Sequence, residues 1–260
     1  MRHNKWLLAF VILVYMFLFA PMVIIVITSF GPDNYIAFPP RGFSMKWFVN
    51  IFNSEMFIRT FSISIQVAVI ATLFALILGV PAAYALSRFD FKGKSIIKNL
   101  FFSPVIVPGI VFGFALFNFI IIKMRLPIYT SLLIGHTVVI IPYIIRVISS
   151  SLDNFDYSIE EAAVSLGASK IKTFFIVVFP NITSSVIAAF MLAFINSFNN
   201  VPVSIFLTGP GVSTLPIQMM SYVEYYFDPT VSALSVLLML MTIGIMFVVE
   251  RTLGLSYFSK

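Results

Sequence analysis

Residues Trp6–Ser29 read WLLAFVILVYMFLFAPMVIIVITS, with no charged side chain anywhere in the run. A helix that crosses a bilayer needs about 20 mostly apolar residues, and this stretch supplies them. Five more stretches qualify, at roughly 58–86, 100–122, 128–148, 182–207 and 231–249. The bilayer core offers no water to backbone N–H and C=O groups, so each run must satisfy them internally as a helix. Composition agrees: 60% of residues are hydrophobic, 10% are charged, and mean hydropathy is +1.04. A soluble domain carries about 45–50% apolar and about 25% charged residues, so too few charges exist here to coat a water-facing surface. Disorder is excluded by the same numbers. A porin-like barrel is disfavoured because the apolar runs are unbroken rather than alternating. The reading is an all-α membrane protein with six transmembrane helices, in one domain over residues 1–260. The first run exceeds the roughly 7–15 residues of a signal-peptide core and lacks a clear small-x-small cleavage site, so it reads as a retained helix.

The 16 Lys and Arg residues set the orientation. With the N-terminus inside, Arg2, Lys5, Arg88, Lys92, Lys94, Lys98, Arg146, Lys170, Lys172, Arg251 and Lys260 face the cytoplasm, while Arg41, Lys46, Arg59, Lys123 and Arg125 face out. Cytoplasmic loops carry the Lys/Arg excess, so both termini are expected inside a multi-pass protein of the cell (inner) membrane. The net charge of +6 is read as helix ends facing anionic lipid of the bilayer. No basic helix carries interleaved aromatics, so nucleic acid is not an expected partner.

Chemistry of its own is scarce. The chain has no cysteine and two histidines far apart, His3 and His136, which disfavours a metal site. The central parts of the spans hold no Asp, Glu, Lys or Arg, the residues that proton-coupled carriers and voltage sensors need. His136, near the outer end of the fourth span, is read as locally hydrogen-bonded. Gly93-Lys94-Ser95 mimics the end of a phosphate loop, but Arg88 stands where that pattern needs its first glycine. No catalytic residue and no cofactor site are expected.

The inner connection, residues 149–180, carries the most specific signal. Ser158 and Glu161 have capping-box spacing, Glu160 and Glu161 suit the positive end of a helix dipole, and Gly167 suits a left-handed C-cap. A second helical stretch from Ser169 is expected to end at Pro180. Glu161-Ala162-Ala163, then three residues to Gly167, nine to Val177, one to Phe179 and Pro180, resembles the EAA loop of ABC-transporter permeases of the binding-protein-dependent importer type. Val177 and Phe179 replace that pattern's Ile and Leu. Stretches at Ser29-Phe30, Phe43–Trp47, Arg88–Lys94, Phe206–Gly211, Leu215-Pro216 and Asp228-Pro229 resemble the spermidine/putrescine (PotC-like) subfamily.

The resemblance implies a type I ABC importer (MetI-like) permease fold. It also implies two copies of an ABC ATPase subunit that use ATP and Mg, a second permease subunit forming a heterodimer, and an extracytoplasmic substrate-binding protein. The ATPase-coupling residues would be Glu160, Glu161, Ala162, Ala163, Gly167 and Pro180, with the acids pairing with basic groups on the ATPase. Polar residues of the fifth span, Asn196, Asn199, Asn200 and Ser204, are candidates for the substrate pathway. Asn118 reads as helix–helix glue, and Gly109 with Gly113 forms a GxxxG pair that permits close packing. The subfamily's cargo is a polyamine such as spermidine/putrescine. The neutral amides at 199 and 200 leave another small solute open, such as an amino-acid derivative, a phosphonate or a vitamin precursor. A self-sufficient secondary carrier or channel is the alternative reading.

Overall fold

The computed structural model describes residues 5–253, which are almost wholly helical. In chain order the helices are α1 (Lys5–Ser29), α2 (Lys46–Asn53), α3 (Glu55–Arg88), α4 (Lys94–Ile106), α5 (Gly109–Lys123) and α6 (Ile128–Asp153). They continue with α7 (Tyr157–Ser165), α8 (Lys170–Phe198), α9 (Val201–Leu207), α10 (Leu215–Tyr225) and α11 (Thr230–Leu253). Among the described residues five helices, α1, α3, α6, α8 and α11, are long and apolar enough to cross a membrane singly, and α4 with α5 makes a sixth, bent candidate.

That bend corrects the expected third span. Residues 100–122 do not form one rod: α4 and α5 meet at 106°. The cause lies in Val107-Pro108. A residue before proline is pushed out of the helical region, and Val107 sits extended at φ −75°, ψ 136°. Pro108 follows at φ −52°, ψ 128°, so two consecutive residues refuse helical geometry.

The fifth span also differs at both ends. Its helix begins at Lys170 and passes through Pro180 instead of ending there. Residues Phe174–Val178 are wound as a π-helix, and this wider winding places Pro180 in the first turn of the α-helical stretch that follows. Proline is tolerated there because its missing N–H costs little. At the other end the helix stops at Phe198 rather than Leu207. Asn200 caps the separate helix α9, its Oδ1 accepting the Val203 N–H at 3.0 Å, with Pro202 in the first turn.

The chain divides into two compact units. One comprises Met1–Arg59 and Gln218–Val248. Within it, Trp47 Nε1 donates to the Gly31 carbonyl at 2.8 Å, Asn50 Nδ2 donates to Thr230 Oγ1 at 3.2 Å, and Ile36 N–H donates to the Phe227 carbonyl at 3.2 Å. Nearly every side chain of α1 is exposed, as an apolar helix facing lipid or another subunit would be.

The other unit contains Thr60–Ile217. Its core centres on the packing of α6 against α8, around Ile140, Ile144, Ile148, Ile182, Ala189 and Ala193. Small residues on α8 let the two backbones approach. The GxxxG pair serves a nearby contact: α5 lies against α9, with Gly109 and Gly113 facing Pro202.

Candidate coupling site and translocation residues

Helix α7 is fixed at both ends by local chemistry. Its N-cap is Asp156, whose Oδ1 accepts the Ser158 N–H at 2.9 Å. The expected capping box of Ser158 with Glu161 does not form, because Asp156 starts the helix two residues earlier and leaves Ser158 inside the first turn. At the other end Gly167 adopts φ +92°. The Gly167 N–H donates to the Val164 carbonyl at 2.9 Å, and the Ala168 N–H donates to the Ala163 carbonyl at 3.1 Å. This pair of bonds is a Schellman motif, which satisfies carbonyls that the helix end would leave orphaned.

The cap has a pH signature. The Ser158 backbone N–H and hydroxyl, bonded to the Asp156 carboxylate, hold its carboxyl below the usual carboxylate range. A depressed folded pKa stabilises the helix fully above the unfolded value of about 3.9, and that contribution is lost as pH falls through the lower folded value. Amide exchange in α7, corrected for intrinsic rates, should therefore stay constant from neutral pH to about pH 5 and accelerate below about pH 4. Asp156→Asn, which keeps the acceptor and removes the charge, should flatten that profile. An unchanged profile in the Asn variant would show that the carboxylate is not the cap that matters.

The two acids of α7 do different things. Glu161 and Ala162 are exposed and Ala163 is half-buried, so this edge faces outward. Glu160 is buried at 3% exposure, which corrects its expected role as a free docking carboxylate. Its Oε1 accepts from Arg88 Nε at 2.7 Å, and its Oε2 accepts from the Tyr84 hydroxyl at 2.9 Å. Arg88 also donates from Nη2 to the Phe155 carbonyl at 3.2 Å and lies over the Tyr157 ring. The Tyr84 ring meets Phe174 edge-on at 4.9 Å between centroids. A cavity of about 380 Å³ opens beside this cluster, lined among others by Arg88, Glu161, Ser165 and Lys170.

Exposed apolar side chains complete the surface. Leu166, at the tip of α7, is 90% exposed, and Ile159, Val164 and Ile171 are exposed too. Pro180, grouped with the coupling residues in the sequence, lies exposed in α8, where its effect is on the helix path.

The pathway candidates separate. Asn196 and Asn199 each donate from Nδ2 to a carbonyl of their own helix, at 2.8 and 3.2 Å, and keep some exposure. Asn200 spends its side-chain oxygen on the α9 cap. Ser204 is fully buried, so it does not line an open path. Instead it holds His136 of α6. His136 Nδ1 lies 2.8 Å from Ser197 Oγ, and Nε2 lies 3.0 Å from Ser204 Oγ. Ser204 gives its single hydroxyl proton to the Asn200 carbonyl, so it must accept from Nε2–H. His136 is thus a buried bracket between α6 and the break at 199–200, rather than a locally bonded side chain. Sequence spacing carried no sign of the two serines, which lie 61 and 68 residues away. Asn118 bonds to the Phe114 carbonyl of its own helix, so among the described residues its amide turns back on its own helix rather than to another.

Residues 75–255 match the family described as binding-protein-dependent transport system inner membrane component. The chain belongs to that family. It is a multi-pass inner-membrane permease of a binding-protein-dependent ABC importer, working with a binding protein and with a separate subunit that uses the ATP. Along 91% of its length the permease is 32% identical to the spermidine/putrescine transport system permease protein PotC of Haemophilus influenzae, covering 92% of that protein. It is 31% identical to the putrescine transport system permease protein PotI of Escherichia coli K12, over 91% of this chain and 86% of that one. Its fold resembles a chain of a bacterial ABC transporter that imports the acidic polysaccharide alginate, at TM-score 0.72, 18% identity and coverage of 96% and 98%. A chain of the MetNI methionine ABC transporter aligns at TM-score 0.63 and 20% identity, over 76% of this chain and 94% of that one. These two likenesses concern the fold, which is that of type I importer permeases.

Proposed function

We propose that the whole chain acts as one permease domain, with both termini cytoplasmic, and pairs with a different permease subunit over two ATPase copies. In this reading the segment 149–180 is the coupling loop, and α7 seats in a groove of the ATPase. The observation that carries it is α7 itself: a short helix capped at both ends, with Glu161 and Ala162 exposed on one edge and Leu166 bare at its tip. A rigid body with an apolar tip and small side chains suits a docking groove. Glu161 is the carboxylate free to meet a basic group, since Glu160 is already paired. The excess of Lys and Arg on the loops assigned inside supports the orientation.

The cargo in this reading is a polyamine, as for the relatives at 31–32% identity. Asn196 and Asn199 are the pathway residues retained. Their neutral amides would offer a cation hydrogen bonds without a countercharge, and they equally suit an uncharged solute.

Three measurements test this. Glu161→Arg should abolish co-purification of the ATPase subunit while the permease pair stays intact; retained ATPase would remove α7 from the docking role. A thermal-shift screen of the cognate binding protein should select spermidine or putrescine over amino-acid derivatives and phosphonates. Selection of an uncharged or anionic compound would overturn the polyamine assignment. Uptake by this chain alone in liposomes would overturn the importer arrangement in favour of a carrier.

A further inference from the structure

We infer that Arg88, with Tyr84, is a positioning residue for coupling: it clamps the buried Glu160 of α7 to the end of α3, so that displacement of α7 is delivered to α3. This rests on the reading of α7 as the docking helix.

The chain itself leads from α7 to α6 through 154–156 and to α8 through 167–169. Neither connection reaches α3, whose Arg88 is 72 residues away from Glu160. The link between α3 and α7 is therefore made by side chains. Three features make it firm. The Arg88–Glu160 pair is almost completely removed from water, with side-chain exposures of 10% and 4%. Both carboxylate oxygens are used, one by Arg88 Nε and the other by the Tyr84 hydroxyl. Arg88 also reaches around α7, bonding the Phe155 carbonyl just before it and lying over Tyr157 in its first turn.

Sliding α7 without α3 would break a charge-assisted bond and strand a buried carboxylate and a buried guanidinium. The path with least penalty is for the two helices to move together. The aromatic contacts of Tyr84 with Phe174 and Phe89 brace the α3 side of the joint. They also tie it to the π-helical turn at Phe174–Val178, where α8 departs from regular winding. An arginine is required chemically. Lysine would retain the charge but could not at once donate to Glu160, donate to Phe155 and stack on Tyr157.

The chain has no cysteine, so spin labels can be placed at chosen sites. Leu78 on α3 and Ile187 on α8 are exposed and lie away from the joint. The experiment uses the assembled transporter in nanodiscs with labels at these positions. Distances are read by pulsed EPR without nucleotide and after trapping with Mg, ATP and vanadate, so no cargo need be known. The unmodified joint should give a shift in the label-to-label distance on trapping. Arg88→Lys should cut that shift by more than half, although trapped nucleotide per complex is unchanged. Arg88→Met combined with Glu160→Met keeps the site packed and leaves no buried charge, which guards against simple misfolding; it should abolish the shift.

A full shift in either variant, or no shift with the joint intact, overturns the inference. A variant that lowers trapped nucleotide and shift in proportion shows a structural role only and also overturns it. Glu161→Arg in the same assay separates the two ideas: if ATPase binding survives that substitution, the docking reading fails and this inference fails with it. If binding is lost while Arg88→Lys retains the full shift, only the inference fails.

Discussion

Gly113→Val is expected to leave little folded permease in the membrane. A Cβ at position 113 would lie 2.5 Å from the Pro202 carbonyl oxygen, 2.9 Å from Phe206 Cδ2 and 3.2 Å from Val203 Cα. Two of those neighbours are backbone, which cannot rotate away. Overpacking in a well-packed interior costs about 1–3 kcal/mol, and valine adds two methyl groups beyond that first carbon. The contact also holds α9 against α5, so forcing it apart pulls on the break at 199–200 and on the His136 bracket. Even Gly113→Ala should lower the unfolding midpoint of the purified complex. Gly244→Ala is the control: nothing lies within 4 Å of its added Cβ, and alanine is the better helix former by about 1 kcal/mol. If Gly113→Ala and Gly244→Ala behaved alike, close packing of α5 on α9 would not be what position 113 provides.

Gly167→Val is expected to weaken ATPase association about 5- to 30-fold, with the permease itself still folded. No atom lies within 4 Å of a Cβ built at this residue, so the substitution meets no steric obstacle. Its cost is purely conformational. At φ +92° a residue with a side chain is strained by about 1–2 kcal/mol, which corresponds to that range of equilibrium constants. The strain is relieved by undoing the Schellman bonds to Val164 and Ala163, which frays the end of α7 that carries Leu166. Asn tolerates the left-handed region better than valine, so Gly167→Asn should fall between the two. Titration of the ATPase subunit onto nanodisc-embedded permease reads the effect. Equal affinity for glycine and valine would mean that a fixed end of α7 is not needed for docking.

Much of the site is local in origin, and to that extent it is legible. The EAA spacing at Glu161–Ala163, the helix around it and the glycine that ends it depend on neighbours within a few residues. The sequence also shows that a polar segment interrupts a series of apolar spans. It misplaces the N-cap by two residues because both Asp156 and Ser158 are good caps, and only the path of the chain leaving α6 chooses between them. It ends a helix at Pro180 and runs the third span straight through Pro108. In the structure Pro108 yields a 106° bend and Pro180 is absorbed by a π-helical turn, because Val107 and Pro108 both turn extended whereas the residues before Pro180 stay wound.

Sequence by itself determined the membrane class, the approximate places of the apolar runs, the EAA spacing and the absence of any cysteine, because these follow from composition and short-range spacing. Tertiary structure alone decided that Glu160 faces inward to Arg88 and Tyr84 while its neighbour Glu161 faces out. It alone decided that His136 bridges two serines, and that Gly113 meets the backbone of α9. Each of these joins residues tens of positions apart, and which side of a helix is buried depends on what packs against it, which no local pattern of residues contains.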